Sequence, residues 1–408
     1  MLSDLRPSPL IDSATKNDST SLKEIVQFDS AAIKAGIYPI EDFSGNSLEH
    51  FYAALKKLNQ KPVRIAFYGD SFIEGDIISD FLRDTLQHVY GGEGVGFVPL
   101  ASEVSNFRKS IQHTFSNWST YTLLSAEIPD IPLGISGYSY VPEEGNTVTY
   151  KPGKKPVQNK FKTVKILYQN KGTATLNYTI NVGSEITKSL KRSDSVNQFL
   201  ISSQAIHSIS MRFSSTDDLT LFGVSFDDTL GLYVDNFSMR SNSGISLAKL
   251  SPYYLKQFNA YLDYKLIILQ YGLNVALETD STTYGWYIAK MTKIIRDLKA
   301  SFPNANFLLL SVSDRGINEN GKIITMNGIP VMRAVQREIA RQSGIAFWDM
   351  YEAMGGKNSM SNYTGAKPPL AAKDYTHLNH KGGKIIGKKL AEALLYEINK
   401  HETKNNFP

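Results

Sequence analysis

The chain has 408 residues, of which 42% are hydrophobic and 20% charged, a globular balance that excludes a disordered or fibrous polymer. A net charge of +5 is too small and too evenly spread for a nucleic-acid binder, and no apolar run is long enough to cross a bilayer. The absence of cysteine excludes thiol nucleophiles, disulfides and thiolate metal sites together.

Taken in order, the chain opens with a polar stretch, 1–36, expected to form a flexible arm. Its start, Met1 to Pro7, lacks the apolar core of a signal peptide, so the sequence reads either as cytoplasmic or as beginning after a cleaved signal. Turn chemistry at Asp42–Ser47 precedes helical spacing over 48–58. Val63 to Tyr68 then reads as a buried strand, broken at Gly69-Asp70-Ser71 and followed by helical spacing from 77 to 90. Strand, tight turn and helix would lift Ser71 off the C-terminal edge of a parallel sheet, where open α/β sheets bind ligands. The helix N-terminus beside it would favour the negative charge of acyl transfer. Ser71 is thus a candidate nucleophile, with a capping serine as the alternative. The glycine-rich run 91–96 lacks the Lys-Ser/Thr pair of a phosphate cradle and reads as a loop.

From about 114 to 231 helical periodicity gives way to short alternating runs, among them 147–150, 163–168, 176–180, 208–213 and 219–224. Such spacing predicts an inserted β-sandwich or jelly roll. The α/β pattern then resumes, with strands expected at 232–237, 266–271, 306–312 and 345–348, and helices at 283–300, 328–343 and 381–397. Strands alternating with helices predict a parallel sheet covered on both faces. The domains expected are therefore 1–36 (arm), 37–113 with 232–403 (discontinuous α/β domain) and 114–231 (β insertion).

A serine needs a base and the base an orienting acid. In Asp374-Tyr375-Thr376-His377 the carboxylate can reach Nδ1–H and leave Nε2 free for a hydroxyl. Asn274, after the strand 266–271, can donate to an oxyanion, as can the N–H groups of Ser71 and Gly244. Plain turn roles remain open for Asn274 and Gly244. Asp76 and Asp80 read as helix-dipole partners, and His380 as a solvated helix-start residue instead of a metal ligand. Trp118, Tyr121, Tyr138 and Tyr140 read as core, with sugar stacking the alternative. Asp314-Arg315 follows a strand at the same edge and is assigned no chemistry.

The ordered set Gly69-Asp70-Ser71, Gly244, Gly272-Leu273-Asn274 and Asp374-x-x-His377 resembles the SGNH, or GDSL, hydrolases. Gly69-Asp70-Ser71-Phe72-Ile73-Glu74-Gly75-Asp76 and Gly94-Val95-Gly96-Phe97-Val98 are similar to segments of the bacterial peptidoglycan O-acetylesterases of that family. Leu273 and Val275 depart from the usual polar neighbours of the asparagine, and Phe72 stands where those relatives have His. The resemblance spans roughly 48–400. It implies a three-layer, flavodoxin-like parallel-sheet domain with a carbohydrate-binding-module-like insertion. It implies catalysis by Ser71, Asp374 and His377 with an oxyanion hole of Ser71, Gly244 and Asn274, without metal or cofactor. It further implies an acetylated polysaccharide as partner, a monomer, and a periplasmic or secreted location. An O-acetyltransferase and a non-catalytic carbohydrate-binding protein are the alternatives.

Overall fold

The computed structural model describes residues 29–128, 130–154, 160–279 and 283–405. Most of the expected arm lies outside them. Its last residues do not form a loose tail: Ser30–Lys34 is helical, capped by Asp29, whose carboxylate also accepts from Lys400 Nζ and Tyr396 Oη of the C-terminal helix.

The central sheet has six strands in the order Ile40–Asp42, Ala346–Trp348, Asn306–Leu310, Tyr264–Gln270, Val63–Gly69 and Leu232–Ser238. All neighbours run parallel except the first pair. The wholly parallel expectation is therefore corrected at that edge: Ile40–Asp42, three residues before the Asp42–Ser47 turn, is too short to carry a periodic signal. Val63–Gly69 is buried at every position, as a central strand covered on both faces must be. Helices Ser79–Tyr90 and His380–Asn405 pack together with Glu49–Leu55, where the Tyr52 ring lies 4.3 Å from His401. Pro252–Leu262, Gly285–Ser301 and Gly328–Ser343 form a second helical group.

The β texture resolves into two antiparallel sheets. One runs Ile186–Ser189, Thr175–Ile180, Ile209–Ser214, Thr147–Pro152, Ile111–Phe115. The other runs Ser193–Ile206, Phe161–Asn170, Leu219–Asp227, Tyr138–Val141, Ser119–Thr122, with Gly96–Val98 also paired to Leu219–Asp227. Val148, Tyr150 and Met211 of the first sheet and Ile166, Leu221 and Phe226 of the second belong to one apolar cluster, separate from the α/β core. Strand structure thus begins ahead of 114, because Gly96-Phe97-Val98 leaves the glycine run as a strand. Gly96 has φ 69°, and a Cβ there would sit 2.1 Å from Asp235 Oδ1, which accepts the Phe97 N–H at 2.9 Å.

The two units are tied by a buried charge cluster. Arg64, in the central strand, reaches Asp227 and Asp235 (both 2.9 Å) and Ser225 Oγ (2.7 Å). Tyr264 Oη donates to Asp235 from the next strand. Removing Arg64 would leave the buried Asp235 carboxylate without its cation, typically at a cost of about 3–5 kcal/mol.

Candidate active site

Strand Val63–Gly69 ends in a tight 3₁₀ turn, Ser71–Asp76. A Cβ at Gly69 would come within 2.7 Å of Ile73 Cδ1 and 3.0 Å of Gln270 O, so the bare backbone of a glycine eases the close approach here. Asp70 caps the turn, its Oδ1 accepting the Phe72 N–H at 2.9 Å. Ser71, the turn's first residue, has an N–H with no partner inside the turn.

The candidate base arrives from the far end of the sequence. Gly382, Gly383 and Gly387 line the first turns of helix His380–Asn405; a Cβ at Gly383 would lie 2.1 Å from Ile77 O, and one at Gly387 2.5 Å from Ile78 O. The bare backbone of Gly383 and Gly387 lets this helix seat against the segment that follows the Ser71 turn, while Gly382 makes room for Leu370 O of the preceding loop. The preceding loop then brings His377 Nε2 to 3.0 Å from Ser71 Oγ, with His377 Nδ1 2.7 Å from Asp374 Oδ2. Asp374 Oδ1 accepts the N–H groups of Thr376 and His377, both at 3.0 Å. Burial works against the Asp374 charge, but the imidazole and these two amides outweigh it and hold the carboxyl below its ordinary value. With Nδ1–H donating to Asp374, Nε2 is the acceptor and the Ser71 hydroxyl the donor.

The expected oxyanion donors are arranged less simply. Asn274 Nδ2 donates to Asp70 Oδ2 (3.2 Å) and to Asn242 O (3.1 Å). Gly244, with φ 88°, donates its N–H to Asn242 Oδ1 at 2.8 Å, and so is not a free donor. Asn242 folds back on the amide two residues on, an Asx turn that Ser246 Oγ also joins at 2.7 Å, so Gly244, like Asn274, would have to exchange a protein partner to serve an oxyanion. Asn242, unsuspected from the sequence, therefore organises both Gly244 and Asn274. Its position in Ser241-Asn242-Ser243-Gly244 was the available signal.

Asp70 was legible only as part of the Gly69-Asp70-Ser71 break, and Asp76 only as a helix-dipole partner. Burial pushes the Asp70 carboxyl up to about 7, against the opposing pull of the Phe72 N–H, the His377 charge, Gln270 and Asn274. Asp76 is not a dipole partner in solvent but a buried ion, with φ 63°, holding Arg83 (3.2 Å), Arg108 (2.8 Å), Ser79 Oγ (2.8 Å) and Ser110 Oγ. Asp80 contributes a longer contact to Arg83, 3.9 Å. His380 stacks on Phe107 (4.8 Å between centroids) and has Nε2 3.2 Å from Phe107 O. Trp118 and Tyr140 are buried, as expected, whereas Tyr121 and Tyr138 are partly open. Asp314 is buried and accepts the Met360 N–H at 2.8 Å. Among the described residues no group of His, Asp or Glu side chains has the arrangement of a metal site.

Among solved structures, a chain described as a peptidoglycan O-acetylesterase superimposes with TM-score 0.71 over 88% of this chain and 99% of its own, at 20% identity. The two chains share a fold. A family two carbohydrate esterase from Cellvibrio japonicus (11% identity, 69% of this chain, 99% of that one, TM-score 0.28) and an acetyl xylan esterase (16%, 40%, 81%, TM-score 0.31) also match, with scores too low to establish a common architecture. No family model and no curated protein matches the sequence.

Proposed function

We propose that the protein is a serine esterase that removes O-acetyl groups from peptidoglycan or a related cell-wall polysaccharide. The observation that carries this reading is the continuous chain Ser71 Oγ, His377 Nε2, His377 Nδ1, Asp374 Oδ2 at the C-terminal edge of the parallel sheet, with links of 3.0 and 2.7 Å. In this reading Ser71 Oγ attacks the ester carbonyl while His377 Nε2 takes its proton. Asp374 fixes the tautomer and stabilises the imidazolium. The developing oxyanion is met by Ser71 N–H and by Asn274 Nδ2, which exchanges its contact with Asp70 for the substrate oxygen. His377 returns the proton to the departing sugar oxygen and leaves an acetyl-serine. It then deprotonates a water, whose attack releases acetate and restores Ser71.

Water is favoured over a sugar as acceptor because the His377 and Asp374 side chains remain 38% and 48% exposed, which leaves the base open to solvent. The intact hydrogen-bond chain argues against a lapsed, purely carbohydrate-binding protein. The two antiparallel sheets are read as an inserted β-sandwich that contributes to polymer binding, and the substrate class implies a periplasmic or secreted enzyme. Among the described residues no helix is long and apolar enough to cross a membrane. Acetate release from acetylated peptidoglycan and acetylated xylan, measured side by side, tests the substrate reading. Faster release from peptidoglycan is expected, and release from neither polymer would refute the esterase.

A further inference from the structure

A cleft of about 650 Å³ lies between the nucleophile turn and the antiparallel sheets, within the size range of small-molecule sites. Ser71 and His377 do not line it. Glu74, Gly75 and Asp76 of the same turn do, together with Ser238 to Arg240 after the edge strand. Ser238 is the register partner of Gly69, and the Met239 N–H donates to Gly69 O at 2.9 Å, so this wall adjoins the strand end that leads into Ser71. The facing wall comes from the β sheets through Phe115, Trp118 and Tyr138. The segment 102–108 forms a third side and touches the base's own helix through Phe107 and His380.

The lining is chemically distinctive. Charges are largely matched: Arg240 pairs with Glu74 and Arg108 with Asp76, so the cleft offers no strong field to an ionic ligand. Tyr138 presents a partly open ring backed by Tyr140, the two stacked 5° from parallel with centroids 6.3 Å apart. Phe115 is 37% exposed. Between these faces the wall carries hydroxyls and amides, including Ser102, Ser105 and Asn117. Ser136 lines the same cleft at 7% exposure, yet its Oγ has no hydrogen-bond partner among the described residues. A buried hydroxyl left unpaired carries a desolvation cost that a ligand polar group can relieve. Open aromatic faces beside hydroxyls and amides suit a pyranose, which has apolar faces and a hydroxylated rim.

We infer that this cleft is a glycan-binding subsite for an uncharged sugar next to the one that carries the ester, with Ser136 and Tyr138 as its contacts. The inference rests on the esterase reading for its role, but its binding step is tested independently. Binding of two probes, the β-1,4-linked N-acetylglucosamine tetrasaccharide and xylotetraose, is measured by calorimetry on the Ser71→Ala protein. At least one should bind. Ser105→Trp, which fills the cleft, should abolish that binding, and Ser136→Ala should weaken it about tenfold, the order of one lost hydrogen bond. With Ser71 restored, both variants should turn over p-nitrophenyl acetate within about twofold of the parent, because that ester does not reach the subsite. Melting temperatures check that both variants fold. Binding of neither oligosaccharide, or binding that survives Ser105→Trp, overturns the subsite. Failure of the parent to hydrolyse p-nitrophenyl acetate would instead sink the esterase reading and leave the binding result standing.

Discussion

The two ends of the nucleophile turn carry buried aspartates six residues apart with opposite electrostatic solutions. At the Asp76 end, two guanidinium groups and two hydroxyls surround the carboxylate, and despite burial they hold it well below the ordinary range. At the Asp70 end no Lys or Arg among the described residues is paired with the carboxylate; burial dominates, and the group is pushed up to about 7. One end is an ionic anchor that fixes the turn to helix Ser79–Tyr90 and to the segment bearing Arg108. The other is a weakly compensated site next to the nucleophile. The contrast teaches that depth of burial alone does not set a carboxylate's state, because the partners present at each site decide it.

Four substitutions sharpen that contrast. The largest effect is expected at Ser71: Ser71→Ala should lower kcat for p-nitrophenyl acetate by on the order of 10³-fold or more, with an unchanged melting temperature. Activity within a few-fold of the parent would remove Ser71 from the reaction. At the anchored end, Asp76→Ala takes from Arg83 and Arg108 the carboxylate they share, leaving Arg83 the more distant Asp80, and should cost about 3–5 kcal/mol in chemical denaturation. A cost under about 1 kcal/mol would mean the cluster does not hold the turn.

Asn274→Ala should lower kcat by about 10²–10³ with little change in KM, because the proposed oxyanion role places its amide at the transition state. If the melting temperature fell while kcat stayed normal, Asn274 would be a turn residue held between Asp70 and Asn242. The smallest effect concerns pH. Because the Asp70 carboxyl is raised in the folded protein, its contribution to stability is full below about 3.9, the unfolded value. That contribution is lost as pH rises through about 7. Asp70→Asn removes this dependence, so the stability difference, variant minus parent, should become more favourable to the variant between pH 4 and 8 and level off above. Asp76 has the opposite sign: its contribution is present above about 3.9 and is lost only as pH falls through its lowered value. A parent and an Asp70→Asn variant with parallel pH profiles would contradict the account of Asp70.

Much of the α/β unit was legible because its signals are local. Gly328–Ser343 coincides with the expected helix, and Gly285–Ser301 and Ala346–Trp348 lie within one or two residues of the expected bounds. Ser71 and Asn274 could likewise be read from strand ends, and Asp374 and His377 from their place ahead of the last helix. What escaped depends on partners distant in sequence. Asp76 looks like a helix-start acid until Arg108 folds over it, 32 residues on. Strand Ser193–Ile206 is an edge strand with many polar residues, so its alternation is faint. The hairpin Gly316–Glu319 and Lys322–Thr325 is similarly short; it supports the base loop, the Gly316 N–H donating to Tyr375 O at 2.8 Å. Gly244 was legible as a turn, but a glycine there does not signal where its N–H points. That depends on the side chain of Asn242.

The central claim is covalent catalysis by Ser71, and rapid-quench mass spectrometry on p-nitrophenyl acetate turnover tests it most directly. The account predicts one acetyl group on the peptide containing Ser71 during turnover, its disappearance once substrate is spent, and no such adduct in Ser71→Ala. Steady turnover with no acetylated peptide, undiminished in Ser71→Ala, would contradict it.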